Sequence, residues 1–120
     1  MKKLLLMMMA LLSFGMIKAQ IMDVQQKGMF IYVYGEGNKV ISQHQVQSTD
    51  ILLGMGSSFF IVKKGMFFRT YDHNSKEIGY LQVATTDKFK NASGNTFNVK
   101  KGQFVYTYDK NCKLISSRQE

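Results

Sequence analysis

Beyond its first 19 residues the chain is a series of short runs, rich in aromatic and β-branched residues that alternate with polar ones, broken by turn formers. The middle shows this most plainly. Phe60-Ile61-Val62 reads as a strand, Lys63-Lys64-Gly65 as a turn, and Met66 to Tyr71 as a second strand. Asp72-His73-Asn74-Ser75 makes the next turn, and Lys76 to Val83 a third strand. Gly65 suits a tight hairpin because positive φ costs it nothing, whereas a Cβ would clash. Asp72 and Asn74 suit the following turn because their short side chains bond nearby backbone. The chain has no proline, and no later stretch carries a convincing helical period, so strands are expected throughout.

The whole arrangement recurs every 37 residues without gaps, since Gly28-Met29-Phe30 returns as Gly65-Met66-Phe67 and again as Gly102-Gln103-Phe104. Tyr34, Tyr71 and Tyr108 keep the step, as do Lys39, Lys76, Lys113 and Ile41, Ile78, Ile115. One supersecondary unit is therefore copied along the chain, and neighbouring copies bury a face that a single copy could not. Alternation sets Phe30, Tyr32 and Tyr34 on one face, with Phe67, Arg69, Tyr71 and Phe104, Tyr106, Tyr108 as their equivalents. Ile31, Val33, Phe68, Thr70, Val105 and Thr107 take the other. Both faces are partly apolar, so each needs cover.

These patterns predict an all-β fold: an antiparallel meander of three β-hairpin repeats, of about nine to eleven strands, in a curled or folded sheet with neighbouring repeats paired edge to edge. The repeats run over about 21–57, 58–94 and 95–120. A small β-trefoil is the alternative, because three similar units can close around a threefold axis. Asp50-Ile51-Leu52-Leu53-Gly54, between the first two hairpins, predicts a further strand; its counterpart Asp87-Lys88-Phe89-Lys90-Asn91 is far more polar and does not by itself require one. In the first copy Asp23 and Gln25 stand where Phe60 and Val62 should point inward, while Met22 and Val24 are one residue out of phase. A bulge or frayed edge strand is expected there.

Lys2 and Lys3, the apolar run Leu4 to Phe14, and Ala19 before Gln20 have the layout of a secretory signal peptide over residues 1–19, leaving 20–120 as one domain. The apolar stretch falls short of the roughly 20 residues of a spanning helix, so no stable membrane insertion is expected after cleavage. Export, to the periplasm or outside the cell, follows. Removing Lys2, Lys3 and Lys18 lowers the net charge from +8 to +5, with 13 basic residues against 8 acidic ones. That is a weak preference for acidic surfaces and no case for nucleic acid. Cys112 is the only cysteine, so no internal disulfide supports the small core.

Catalysis has little foundation. The two histidines, His44 and His73, fall at different places in the repeat, no Gly-x-Ser-x-Gly elbow occurs, and Asp72 and Asp109 are equivalent turn residues. Asp72-x-Asn74 opens like a calcium loop, but Lys76 stands where a further oxygen ligand is needed, so neither metal nor cofactor is expected. Lys101-Gly102-Gln103-Phe104-Val105-Tyr106 echoes an RNA-recognition strand, yet hairpin geometry accounts for it. The pattern Gly-x-aromatic-x-x-x-Tyr-Asp-x-Asn-x-Lys-x-Ile resembles the hairpin repeats of small exported Bacteroidetes-type proteins, mostly of unknown function. More loosely, it is similar to tyrosine-aspartate and tryptophan-glycine repeat arrays. The resemblance covers most of Met22 to Gln119 and implies an extracytoplasmic β-repeat domain. In such repeats glycine is usual where this chain has Asn38, Ser75 and Cys112.

The expected role is that of an exported, non-enzymatic β-repeat protein acting by protein–protein contact or self-association with an envelope or extracellular component, a homo-oligomer included. The alternative is a binding module for a small ligand, a glycan or an anionic polymer. Its candidate residues are the equivalent row Tyr32, Arg69 and Tyr106 and a basic rim of Lys63, Lys64, Lys100 and Lys101. Ile51, Leu52, Leu53 and Met55 are expected in the core rather than in a docking patch. Cys112, at a turn, is expected to be exposed and able to form an intermolecular disulfide.

Overall fold

The computed structural model describes residues 20–120, so the signal-peptide expectation falls on residues outside the described ones. Eleven strands follow one another: β1 (Asp23–Lys27), β2 (Phe30–Tyr34), β3 (Val40–Gln45), β4 (Ile51–Met55), β5 (Phe59–Lys64), β6 (Phe67–Asp72), β7 (Glu77–Gln82), β8 (Lys88–Ser93), β9 (Thr96–Lys101), β10 (Phe104–Asp109) and β11 (Leu114–Gln119). They form three antiparallel meanders. The first sheet is β1-β2-β3, the second β4-β5-β6-β7, and the third β8-β9-β10-β11. A short 3-10 turn at Glu36–Asn38 is the only helical segment among the described residues.

Turn chemistry explains how each copy folds. Gly28, Gly65 and Gly102 take φ of 60°, 59° and 62°, as the tight hairpins require. The glycine-like positions of the second turn stay left-handed without glycine: φ is 61° at Asn38, 64° at Ser75 and 66° at Cys112. Asp72 and Asp109 fasten that turn, each accepting two backbone N–H bonds through Oδ1, from Asn74 and Lys76 and from Asn111 and Lys113. A bulge follows in every copy, with the register shifting at Val33/Tyr34, Thr70/Tyr71 and Thr107/Tyr108.

Packing corrects several expectations. Neighbouring repeats do not pair edge to edge; the sheets stack face to face. One core joins the first and second sheets through Val24, Ile31 and Val33 against Phe60, Val62 and Tyr71. A second core joins the second and third through Phe59, Ile61 and Phe68 against Phe97, Val99 and Tyr108. The two cores share no residue and neither links the first sheet to the third, so the arrangement is an open row of layers rather than a trefoil. β8 forms despite its polarity, because Phe89 and Ala92 pack toward the second sheet while its lysines face outward. β1 is neither bulged nor frayed. Asp23 pairs with Tyr34 in the register in which Phe60 pairs with Tyr71, so the first copy keeps its phase and loses only its apolar side chains.

Each layer is keyed to the next by a repeated joint, in which the second turn of one sheet docks on the preceding sheet. Ser42 Oγ donates to the His73 carbonyl at 2.7 Å and lies 2.8 Å from Ser75 Oγ. One layer on, Thr70 Oγ1 donates to the Lys110 carbonyl at 2.6 Å. Gly79 permits that approach, since a Cβ there would come within 2.6 Å of the Asn111 backbone. Leu52, Leu53 and Met55 are half-buried against the two cores, as expected, while Ile51 is 52% exposed.

Candidate functional site

Stacking gives equivalent residues unequal fates. Tyr32, Arg69 and Tyr106 occupy the same face of successive layers, but they do not assemble into one row. Arg69 is bound within its own sheet, donating through Nη1 to both Glu77 carboxylate oxygens at 3.0 and 3.1 Å. Its guanidinium also lies 5.2 Å from the Phe67 ring and 5.6 Å from the Tyr80 ring. Tyr106 is half-buried against the second core. Only Tyr32 stands on a face that no other sheet covers.

The lysine rim is also less free than the sequence implies. Lys27, Lys64 and Lys101, each just before the turn glycine, fold back over the tyrosines of their own sheet at 5.7–6.0 Å. Lys64 pairs with the buried Asp50 at 3.4 Å, and Lys101 with Asp87 at 3.8 Å. Lys100 pairs with Glu120 at 3.1 Å. Of the four rim candidates, Lys63 alone has no acidic partner among the described residues. Its equivalent in the first copy is Gln26, whose side chain donates to the Asp50 carbonyl and accepts from the Leu52 N–H.

What the sequence did not single out is the outer face of the first sheet. Phe30, Tyr32 and Tyr34 form a continuous aromatic row there, with ring centroids 6.4 and 6.5 Å apart. The equivalent tyrosines in the second and third sheets, Tyr71 and Tyr108, are buried beneath the preceding sheet, and His44 lies 4.3 Å from the Tyr71 ring. Among the described residues nothing takes that place over Tyr34. A depression of about 220 Å3 opens instead, lined by Asp23, Gln25, Tyr34 and Asn38. Asp23 is held by the Val24 N–H and by Gln25 Nε2, both at 2.9 Å. Lys27 Nζ sits 3.4 Å from Tyr34 Oη. Carboxylate, amides, ammonium and phenol thus converge round one aromatic platform. The signal for this site lay in the sequence as the departure of Asp23 and Gln25 from Phe60 and Val62.

Two titratable groups lie in the joints. Burial, reinforced by the Lys64 charge, pushes the His44 pKa below 6.5, and His44 Nε2 is buried without a hydrogen-bond partner among the described residues. Cys112 is not exposed as its turn position suggests. It is half-buried against the second core, with Sγ 3.6 Å from Thr70 Oγ1, and burial raises its pKa. The docking of its turn on the second sheet covers the thiol.

No group of three or more His, Cys, Asp and Glu side chains placed to hold a metal occurs among the described residues. No helix among them is long and apolar enough to cross a membrane. No family model matches the chain, and no curated protein matches it. Solved structures do match. One is a protein of unknown function from Bacteroides caccae, with a TM-score of 0.58 and 8% identity, over 84% of this chain and 41% of that one. At that identity the likeness concerns the fold alone, and this chain spans less than half of that protein's length.

Proposed function

We propose that the protein is an exported, non-enzymatic binding module of the small Bacteroidetes-type hairpin-repeat kind, and that it holds another envelope or extracellular protein through the outer face of its first sheet. The observation that carries this reading is the uncovered aromatic row. Tyr34 ends this row at the place where its equivalents Tyr71 and Tyr108 are buried beneath the preceding sheet, and tyrosine-rich faces are favoured in recognition surfaces. Asp23 and Gln25 keep this face soluble in the free protein, so a partner needs hydrogen-bonding groups as well as apolar area.

A second reading, the binding of a glycan or another small polar ligand, is favoured by the depression round Tyr34. Its carboxylate and amides suit hydroxyl groups, and its ring suits the apolar face of a sugar. One pair of variants tests both. Tyr32→Ala with Tyr34→Ala is expected to abolish capture of a partner from an envelope extract, or retention on a glycan array, without lowering the melting temperature. Equal capture by the variant and the unaltered protein would exclude this face.

A further inference from the structure

The opposite end of the stack is closed by a face of different chemistry. On the third sheet, Lys90, Asn98 and Arg118 occupy the positions that Leu53, Ile61 and Leu81 hold in the second, where those residues pack into the core. A terminal layer needs a polar outer surface, but charges of mixed sign serve that purpose as well. Here the substitutions are one-sided. Lys88, Lys90, Lys100 and Arg118 face outward with Glu120 as the only carboxylate among them. Lys88 and Lys100 stand directly opposite each other on paired strands, an arrangement that costs stability unless an anion lies between them. A depression of about 250 Å3 lies at this point, lined by Thr86, Lys88, Lys100 and Gly102.

Glu120 shows what these cations accept. Its carboxylate bridges Lys90 at 2.5 Å and Lys100 at 3.1 Å, and those two contacts draw its pKa down to about 2. Beside the cations runs a fixed ladder of neutral groups: Asn98 Nδ2 donates to Asn91 Oδ1 at 2.7 Å, and Thr107 Oγ1 donates to Asn98 Oδ1 at 2.5 Å. The sheet's aromatic residues, Phe97, Tyr106 and Tyr108 among them, are turned to the opposite face. This surface therefore lacks the stacking platforms of a single-stranded nucleic-acid site and the apolar wedge of a bilayer-inserting one.

We propose that the outer face of the third sheet binds an acidic polysaccharide, its carboxylate or sulfate groups taken by Lys88, Lys90, Lys100 and Arg118 and its hydroxyls by the Asn–Thr ladder. The site is separate from the aromatic face at the other end. Binding of polygalacturonate and heparin is measured against neutral dextran at low salt. The pair Lys88→Glu and Arg118→Glu is compared with Lys39→Glu and Lys76→Glu, an equal charge change on distant turns, and every variant is checked by thermal melting. The unaltered protein is expected to bind both acidic polymers and not dextran, with affinity falling as salt rises. The first pair is expected to lower affinity about tenfold or more, and the second pair far less. Equal losses in both pairs would reduce the effect to net charge and overturn the proposal. So would absence of binding, or preferential binding to vesicles of anionic lipid. Variants of Tyr32 and Tyr34 are expected to leave this binding unchanged, which keeps its failure distinct from that of the partner-protein reading.

Discussion

His44 and Cys112 show how stacking redefines single residues. His44 lies in the first joint, where Leu81 holds the equivalent place in the second. Its folded pKa is below 6.5, so as pH falls through that value the unfolded chain takes up the proton first. Stability is therefore full above the unfolded pKa and is lost as pH drops below it. Urea melts at about pH 7.5 and about pH 5 should show a lower midpoint in acid, and His44→Leu should remove the part of that difference owed to this residue. An unchanged pH dependence in the variant would place the acid sensitivity elsewhere. Cys112 was legible as a turn residue, and the left-handed conformation at its position was legible from the glycines of similar repeats. Its burial was not, because the contact that covers it comes from Thr70, 42 positions earlier in the chain. Labelling with a thiol reagent should be slow in the native protein and rapid in urea, and little disulfide-linked dimer should form without unfolding. Rapid native labelling would mean that the third turn does not dock as described.

At the scale of elements, the hairpins were readable and the joints between them were not. Turn glycines, aspartates and alternating aromatics are local signals, and all three hairpins follow them. β8 is the instructive departure. Its lysines argue against a strand in isolation, but its face toward the second sheet needs only Phe89 and Ala92, and the other face is solvent. The joints depend on small residues whose value appears only once another layer arrives. Gly79→Ala should force the Asn111 turn off the second sheet and cost about 1–3 kcal/mol in a urea melt, as overpacking of a close contact does. Gly28→Ala, with open space round its Cβ, would suffer only from its positive φ, about 1–2 kcal/mol. A Gly79 variant as stable as the parent would show that the layers can slide apart without loss.

The whole molecule behaves as a row of three layers whose middle layer is covered on both faces. Removing Asn95 to Glu120 deletes β9 to β11 and strips the cover from Phe59, Ile61 and Phe68. The truncated chain should lose its cooperative thermal transition, because nearest-neighbour interfaces supply most of the stability of a repeat array. A sharp melt in the truncated protein would show that the first two layers stand alone. The ends of the row carry the two candidate surfaces, one aromatic and one basic, each made by replacing the apolar residues that an inner layer would bury.

The all-β class, the hairpin turns and the face on which each aromatic lies follow from the sequence alone, because each rests on residues within a few positions of one another, and the 37-residue period follows because those local patterns recur in identical order. The manner in which copies associate was decided only in three dimensions. Edge pairing and face stacking both bury alternate residues of a strand, so the same pattern serves either until the contacts between layers choose. The candidate sites share that ambiguity. Tyr32, Arg69 and Tyr106 are equivalent along the chain and all half-buried, and only their order in the stack leaves the first without a sheet above it, binds the second to Glu77 and packs the third against the second core.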